Sequence, residues 1–287
     1  EGLAQLDPAR VSRLPAITKQ SLPGPVPGFD VWDAWPLSDT SGQPVDWRGG
    51  QLWFALACEQ LDDPEARHFK ARIHLLHRQA GDIFVPLGPV FSEGFSPGFA
   101  EWSGMARVED GRAALYFTAS GTKGDAQPSY RQRLFVARAD MLVGDGSPFG
   151  PWSAPVELLP SGSGPYQAPS GQEGRPGAVK GFRDPFVRDA DDGRRYLLFT
   201  ASCARNPGPH DGVIGLAVSD GDDVFRPLDP LVDATGVNNE LERPHIIDHD
   251  GRLYLFWSTQ ARVFAPGIVA PTGLYGAVAD NMDGPWH

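Results

Sequence analysis

The chain carries only two cysteines, Cys58 and Cys203, among 287 residues. That excludes a small disulfide-stapled scaffold. Each cysteine follows a short hydrophobic run (WFALAC and LFTASC), where a buried free thiol is expected. No CxxC or HExxH spacing occurs, which argues against a catalytic zinc. No P-loop and no serine nucleophile elbow is expected. Long apolar runs are missing too: the longest, Leu52 to Cys58, is far too short to span a membrane. No long amphipathic helical pattern stands out. Basic residues are scarce against acids, 25 to 36, for a formal charge of −11. An acidic surface repels nucleic acid and anionic membranes, so neither is an expected partner, whereas a neutral ligand such as a sugar is compatible with it. No signal-peptide pattern is visible, and a chain beginning at Glu1 reads as a trimmed or mature form.

Glycine and proline are abundant instead, at 34 and 28 residues. They punctuate short hydrophobic runs, the pattern of an all-β fold rich in turns. The clearest unit is Gly236 to Ser258. His245-Ile246-Ile247 is a short apolar run, Asp250-Gly251 a two-residue turn signal, and Leu253 to Trp257 an aromatic and aliphatic strand, which together read as a β-hairpin. Glu242 stands at the head of the first strand, before Arg243 and Pro244. A proline there marks a strand start or an unpaired edge.

Similar units recur. Phe182 to Val187 leads through Asp192-Gly193 to Tyr196–Thr200, and Glu101 to Ala106 leads through Asp110-Gly111 to Leu115–Thr118. A looser copy runs from Val31 to Leu37 and through Gly49-Gly50 to Leu52–Leu56. From acid to turn glycine the offsets are 251 − 242 = 9, 193 − 184 = 9 and 111 − 101 = 10. These near-equal offsets predict Asp33, Glu101, Asp184 and Glu242 at one height on four equivalent strands. In a β-propeller such strands line the central channel. Outer-strand echoes are expected at Gly150-Pro151-Trp152 and Gly284-Pro285-Trp286.

In chain order, residues 1–29 read as an irregular lead-in. Residues 30–57 open the first blade, 58–70 form a polar loop, and Ala71 to His77 is a strand. The second blade spans 101–158, with GPWSAPVELL as its outer strand. Residues 159–180 form a long loop, functional or mobile. The third blade covers 181–232, and the fourth begins at Glu240 with Gly273–Ala279 as its third strand. His287 lies just inside an outer strand. The expected architecture is therefore a single all-β propeller domain over residues 1–287, with the last part of the ring expected beyond His287.

The stretches VWDAWPL (31–37), EWSG (101–104), FRDP (182–185), ELERPH (240–245) and GLYGAV (273–278) resemble glycoside hydrolase family 68, the levansucrases, inulosucrases and bacterial β-fructofuranosidases. The resemblance implies a five-bladed β-propeller with its active site in the central channel and sucrose as donor. It implies Asp33 as nucleophile, Glu242 as general acid/base and Asp184 as the carboxylate that stabilises the transition state. Trp32, Trp102, Ser103 and Arg183 match positions that hold the fructosyl unit. Glu240 and Arg243 match positions around the scissile bond. Gln260 matches an acceptor-side position that is usually Arg or His in polymer-forming members, which tilts the expectation toward short products or hydrolysis. The calcium pattern of some members finds no counterpart, so no metal and no cofactor is expected. An extracellular or periplasmic location is implied by the resemblance alone.

A retaining glycosidase needs one ionised carboxylate to attack the anomeric carbon and one protonated carboxyl to release the leaving oxygen, about 5–5.5 Å apart. Asp33 must stay charged, which predicts hydrogen-bond donors around it. Glu242 lies next to Arg243, whose charge must be outweighed by burial or by Asp33 and Asp184. Taken singly, Asp184-Pro185 reads as a turn pair and Glu242-Arg243 as a solvated ion pair. Trp35 reads as core and Trp32 as site. Glu101 reads as a residue that orients a neighbour, and His245 equally as core or site edge. The leading function is a sucrose-cleaving, retaining β-fructosyltransferase that passes fructose to sugars, fructan or water. The alternatives are a β-fructofuranosidase that mainly hydrolyses sucrose, an arabinan- or xylan-cleaving furanosidase, and a non-catalytic carbohydrate-binding propeller.

Overall fold

Alternating side chains on the middle strand of each hairpin are buried on both faces, and this stacks the sheets side by side. In a computed structural model, which describes residues 26, 28–81, 83–144, 146–169 and 179–287, the first blade holds β1 (Phe29–Ser38), β2 (Asp46–Trp47), β3 (Gly50–Glu59), β4 (Arg72–Gln79) and β5 (Ile83–Pro89). The second holds β6 (Ala100–Glu109), β7 (Arg112–Ser120), β8 (Gln132–Asp140) and β9 (Val156–Leu159). The third holds β10 (Phe182–Asp189), β11 (Arg195–Ser202), β12 (Gly212–Ser219), β13 (Arg226–Pro227) and β14 (Val232–Asp233). The fourth holds β15 (Glu242–His249), β16 (Arg252–Thr259) and β17 (Gly273–Ala279). Within each blade successive strands pair antiparallel, and β1 touches β6 in parallel at Leu37 and Ala106. The fold is the all-β, five-bladed propeller class, of which the described residues build four blades.

The period of two is visible in the cores. Leu115 and Phe117 of β7 pack toward the first blade with Phe54 and Trp35. Tyr116, between them, packs toward the third blade with Phe182 and Phe199. On β11, Leu197 and Phe199 face back to that core, while Tyr196 and Leu198 face forward to Leu255 and Trp257 of the fourth blade. Trp35 is core, as its alternation with Trp32 implies. Both cysteines are free and buried.

The turns follow their sequences. Asp110-Gly111 and Asp250-Gly251 both have positive φ at both residues (49° and 76°; 49° and 73°), the primed hairpin turn that suits twisted strands. Two expectations need correction. Residues 58–70 are not an unstructured polar loop. They contain a 3-10 helix, Pro64–Phe69, whose N-cap Asp63 accepts from the Glu65 N–H at 3.0 Å. The outer strand of the second blade is only Val156–Leu159. Trp152 is not in a strand and packs edge-on against Phe91 instead. In the fourth blade His287 pairs with Val278 through both backbone groups at 2.9 Å, as an outer strand would. The string Gly94-Phe95-Ser96-Pro97-Gly98 fits GxSxG, but it lies between two strands and the Ser96 hydroxyl accepts from the Gly98 N–H, so it is a turn and no nucleophile elbow. Most of the expected lead-in, and residues 170–178 of the long loop, lie outside the described residues. The described start of that loop is anchored by buried Tyr166, whose hydroxyl accepts from the Leu216 N–H at 2.8 Å. No helix among the described residues is long and apolar enough to cross a membrane.

All four innermost strands carry a bulge near their start. The register jumps between Trp32 and Trp35, Trp102 and Gly104, Arg183 and Phe186, and Glu242 and His245. These jumps correct the expected common height of the four acids. Asp33 and Asp184 occupy equivalent bulge positions, shared with Ser103 and Arg243, whereas Glu242 stands one residue and Glu101 two residues before the bulge residue of its strand. From bulge to turn glycine the count is 111 − 103 = 8, 193 − 184 = 9 and 251 − 243 = 8. The third blade therefore has one extra turn residue, and equal offsets to the glycine concealed a one-residue shift on the strand.

Glu101 points away from the channel. Its Oε2 accepts from the Ile73 N–H at 2.8 Å, tying β6 to β4. Burial pushes its carboxyl up to about 7, against the lowering effects of that bond and of Arg72. A carboxyl raised in the folded state contributes fully below the unfolded value of about 4.3 and costs stability as pH rises through about 7. Glu101→Gln keeps an acceptor for Ile73. It is expected to unfold about 1–3 kcal/mol less readily than wild type at pH 8 and to match it at pH 4. Urea melts at both pH values test this, and equal pH slopes in the two proteins would refute it. Gly104, in the bulge of β6, has no room for a side chain: an added Cβ would lie 1.9 Å from the Tyr116 carbonyl oxygen. Gly104→Ala is expected to cost about 1–3 kcal/mol or more in the same assay.

Candidate active site

The bulges place side chains from all four inner strands around one open cavity of about 210 Å³. All ten residues singled out from sequence line it: Trp32, Asp33, Trp102, Ser103, Arg183, Asp184, Glu240, Glu242, Arg243 and Gln260. A concave site lined by aromatic and polar side chains suits a small molecule.

Asp33 and Asp184 share a left-handed backbone, with φ of 48° and 61°, an uncommon state for non-glycine residues. Their side chains differ sharply in exposure, 37% for Asp33 and 6% for Asp184. Ser103 Oγ donates to Asp33 Oδ2 at 2.5 Å, one of the hydrogen-bond donors expected around this aspartate. Arg243 Nη1 lies 3.6 Å from Asp33 Oδ1. Asp184 accepts from Thr200 Oγ1 at 2.9 Å and from the Arg243 N–H at 3.2 Å. Burial pushes its carboxyl up to about 6; Arg183 pulls it down, and Glu242 and Asp33 add to the rise.

Arg183 is the hub. Its buried guanidinium donates to Glu242 Oε1 at 2.8 Å, lies 3.4 Å from Glu240 Oε1 and, through Nε, 3.7 Å from Asp184 Oδ2. Against the desolvation that opposes its charge, these three carboxylates hold its pKa above the ordinary value. The partner of Glu242 is thus Arg183 and not its neighbour Arg243, which turns to Asp33 and donates to the Ala34 carbonyl at 3.3 Å. Glu240 is pushed up to about 7, chiefly by burial, with Arg183 opposing and Glu242 reinforcing.

Two aromatic walls flank the acids. Trp102 is fixed by its Nε1–H, which donates to the His68 carbonyl at 2.7 Å. Trp32 carries the Arg67 guanidinium over its ring at 5.2 Å. Sequence reading missed Glu65, Arg67 and His68, all of which line the cavity from the 3-10 helix. Asp63-Pro64, an N-cap followed by a first-turn proline, was the signal available for that helix. Also missed were Tyr130 and Arg262, both in the lining. Arg262 lies two residues from Gln260 and acts on Glu240 to lower its pKa, so neutral Gln260 does not leave that wall without a cation. His245 is half-buried between Phe186 and Phe256 and is absent from the cavity wall. No group of three or more metal-ligating side chains occurs among the described residues.

Removing the hub leaves three carboxylates without their shared cation. Arg183→Met is expected to cost about 3–5 kcal/mol at pH 8 and less at pH 5, where Glu240 and Asp184 can take up protons. Urea unfolding at the two pH values tests this; an equal loss at both would show that packing and not charge is what Arg183 supplies.

The sequence profile of the Levansucrase/Invertase family matches residues 12–214 and 209–287. The levansucrase of Rahnella aquatilis is 30% identical over 301 aligned positions, covering 89% of this chain and 69% of that protein. The structure of an inulosucrase from Halalkalicoccus jeotgali, bound to kestose, superposes with a TM-score of 0.86 at 32% identity, covering 99% of this chain and 73% of that one. A levansucrase from Gluconacetobacter diazotrophicus shares the fold, with a TM-score of 0.80 at 22% identity over 95% of this chain and 67% of its own. On these matches the chain belongs to the levansucrase/invertase family, glycoside hydrolase family 68.

Proposed function

We propose that the protein cleaves sucrose by a retaining mechanism and transfers the β-fructosyl unit to a sugar acceptor. One observation carries the assignment of roles: two aspartates occupy equivalent bulges, one open to the cavity and one sealed. The open one, Asp33, is the nucleophile. Ser103 holds its Oδ2, which leaves Oδ1 to attack the anomeric carbon of the fructosyl ring. As that bond forms, the bond from the anomeric carbon to the bridging oxygen breaks. Glu242 gives its proton to that oxygen, and glucose leaves. Arg183 holds Oε1 of Glu242, so Oε2 is the proton-bearing atom; Oε2 has no hydrogen-bond partner among the described residues. In the second half, Glu242 removes a proton from an acceptor hydroxyl, which attacks the same carbon and frees Asp33.

The sealed aspartate serves the transition state. A carboxylate locked by Thr200, the Arg243 N–H and Arg183 cannot swing to attack. It is a fixed anion beside a ring that gains positive charge. Trp32 and Trp102 offer apolar faces to the fructosyl ring, while Glu240, Arg243 and Gln260 face the scissile bond and the acceptor. The chemistry as written uses side chains alone. A neutral disaccharide needs no electrostatic steering, which suits a chain of charge −11.

Incubation with sucrose, following glucose and free fructose separately, tests the reading. The expected result is glucose in excess of free fructose. Asp33→Ala should release neither sugar, and Glu242→Gln should lower kcat by about 10²- to 10⁴-fold. The kcat/KM profile should fall below about pH 6 as Asp184 takes up its proton. Equal glucose and fructose would make the protein a hydrolase, and no release would overturn the sucrose assignment.

A further inference from the structure

A β-bulge leaves one backbone N–H without a ladder partner, and a buried N–H must find another acceptor. The N–H groups of Asp184 and Arg243 are such cases. The Asp184 N–H donates to Thr118 Oγ1 at 2.9 Å, across the gap from the third blade to the second. The Arg243 N–H lies 3.2 Å from Thr200 Oγ1, across the gap from the fourth blade to the third. Both threonines are buried, and both sit at the same register of a middle strand: Thr118 pairs with Trp102, Thr200 with Arg183. Ser258 holds that register in the fourth blade, opposite Glu242, and Leu56 in the first, opposite Trp32. A hydroxyl therefore recurs at one position of three blades, and in two of them it receives the bulge of the next blade.

We propose that Thr118 and Thr200 are positioning residues for the reaction, each using one hydroxyl to fix the neighbouring blade's bulge, so that Asp184 and Arg243 are held where the chemistry needs them. The inference rests on the fructosyltransferase reading above.

The bonds form a continuous circuit. Thr118 takes the Asp184 N–H and donates its own proton to the Ser103 carbonyl at 3.1 Å. Ser103 in turn donates to Asp33. Thr200 takes the Arg243 N–H and donates to Asp184 Oδ2 at 2.9 Å, with the Leu241 carbonyl at 3.0 Å as the alternative acceptor for its single proton. Arg243 closes the circuit through its guanidinium, 3.6 Å from Asp33. These contacts thus join both aspartates and the arginine of the cavity, while Thr118 and Thr200 themselves lie outside its lining. A displacement of the order of 1 Å at a reacting group lowers rate by about 100-fold, so such bonds govern kcat more than binding.

A purely structural hydroxyl would lower stability alone, so the test reads more than stability. In the full chain, Thr200→Val keeps the shape and removes both bonds. It should lower kcat for sucrose by about 10- to 100-fold while KM changes far less. The acid limb of kcat/KM should move above its wild-type position, because Asp184 loses a donor that favours its charge. The groups that face this carboxylate are Arg183 on its own strand, Glu242 and the Arg243 N–H on β15, Asp33 on β1 and Thr200 on β11. Thr200→Ser should restore both rate and limb. If Thr200→Val does not fold, Thr118→Val, which leaves the Asp184 carboxylate bonds intact, should still lower kcat. A folded Thr200→Val with wild-type kcat and wild-type acid limb would overturn the proposal. Carbon-13 NMR titration of the Asp184 carboxyl needs no substrate, so it separates the two readings. If wild type leaves sucrose intact, the sucrose assignment fails. The positioning role then stands or falls on whether Thr200→Val raises the Asp184 titration.

Discussion

One buried guanidinium makes the cavity possible. Asp184, Glu240 and Glu242 converge on a few ångströms of space with little water around the first two. Three such carboxylates repel, and burial alone drives two of them toward the neutral form. Arg183 answers all three, Glu240 and Glu242 through Nη2 and Asp184 through Nε. A lysine could not, because its ammonium is a single point on a flexible stem, whereas the guanidinium fork has fixed directions. The Gln132 side chain supports the arrangement from behind. Its Oε1 accepts from the Phe182 N–H at 2.9 Å and lies 3.5 Å from Arg183 Nη1. The arginine is therefore oriented by the second blade while it serves carboxylates of the third and fourth.

The bulge is the second constraint. A regular strand would turn alternate side chains toward the neighbouring blades, where apolar cores leave no space for a carboxylate. An extra residue breaks that alternation. It turns Asp33 and Asp184 into the channel at the cost of a left-handed backbone, a cost of order 1–3 kcal/mol for each. The strain is carried by the surroundings. Both faces of the middle strands are packed, and the bulge N–H of Asp184 is satisfied by Thr118. A strained backbone at a functional residue is thus an outcome of a rigid scaffold, and its energy is offset elsewhere in the blade.

Much of this was legible in the sequence, and the failures have identifiable causes. Hairpins showed through because their strands have a period of two and three of the turns have Asp-Gly. Asp33, Asp184, Glu242 and their aromatic neighbours showed through because family motifs surround them. The shared height of the acids did not hold, because distance was counted to the turn glycine and the third blade's turn has one more residue. The partner of Glu242 was misjudged for a related reason. Adjacent residues on a strand point to opposite sides, so Arg243 is the poorest candidate to pair with Glu242, and a residue of the neighbouring blade does so. Glu101 stood in a convincing motif, yet two residues before the bulge it points into the interblade packing. The 3-10 helix bearing Arg67 and His68 was lost inside a run of charge whose capping signal is only two residues long.

Comparison of the blades shows how one position acquired separate duties. Asp33, Ser103, Asp184 and Arg243 occupy corresponding bulge sites, and Asp33, Asp184 and Arg243 share a left-handed backbone there. What differs is the cover. Leu56 stands opposite the residue before Asp33, offers no hydroxyl, and leaves that carboxylate more than a third exposed. Thr200 stands opposite the residue before Asp184 and helps to close it down to 6%. At Ser103 the bulge residue shortens to a hydroxyl, which reaches Asp33 without adding charge. At Arg243 the charge is inverted, and the guanidinium reaches back across the ring to Asp33. An open carboxylate, a sealed carboxylate, a hydroxyl donor and a counter-charge are thus four versions of one structural position. The role of each follows from what the middle strands place beside it.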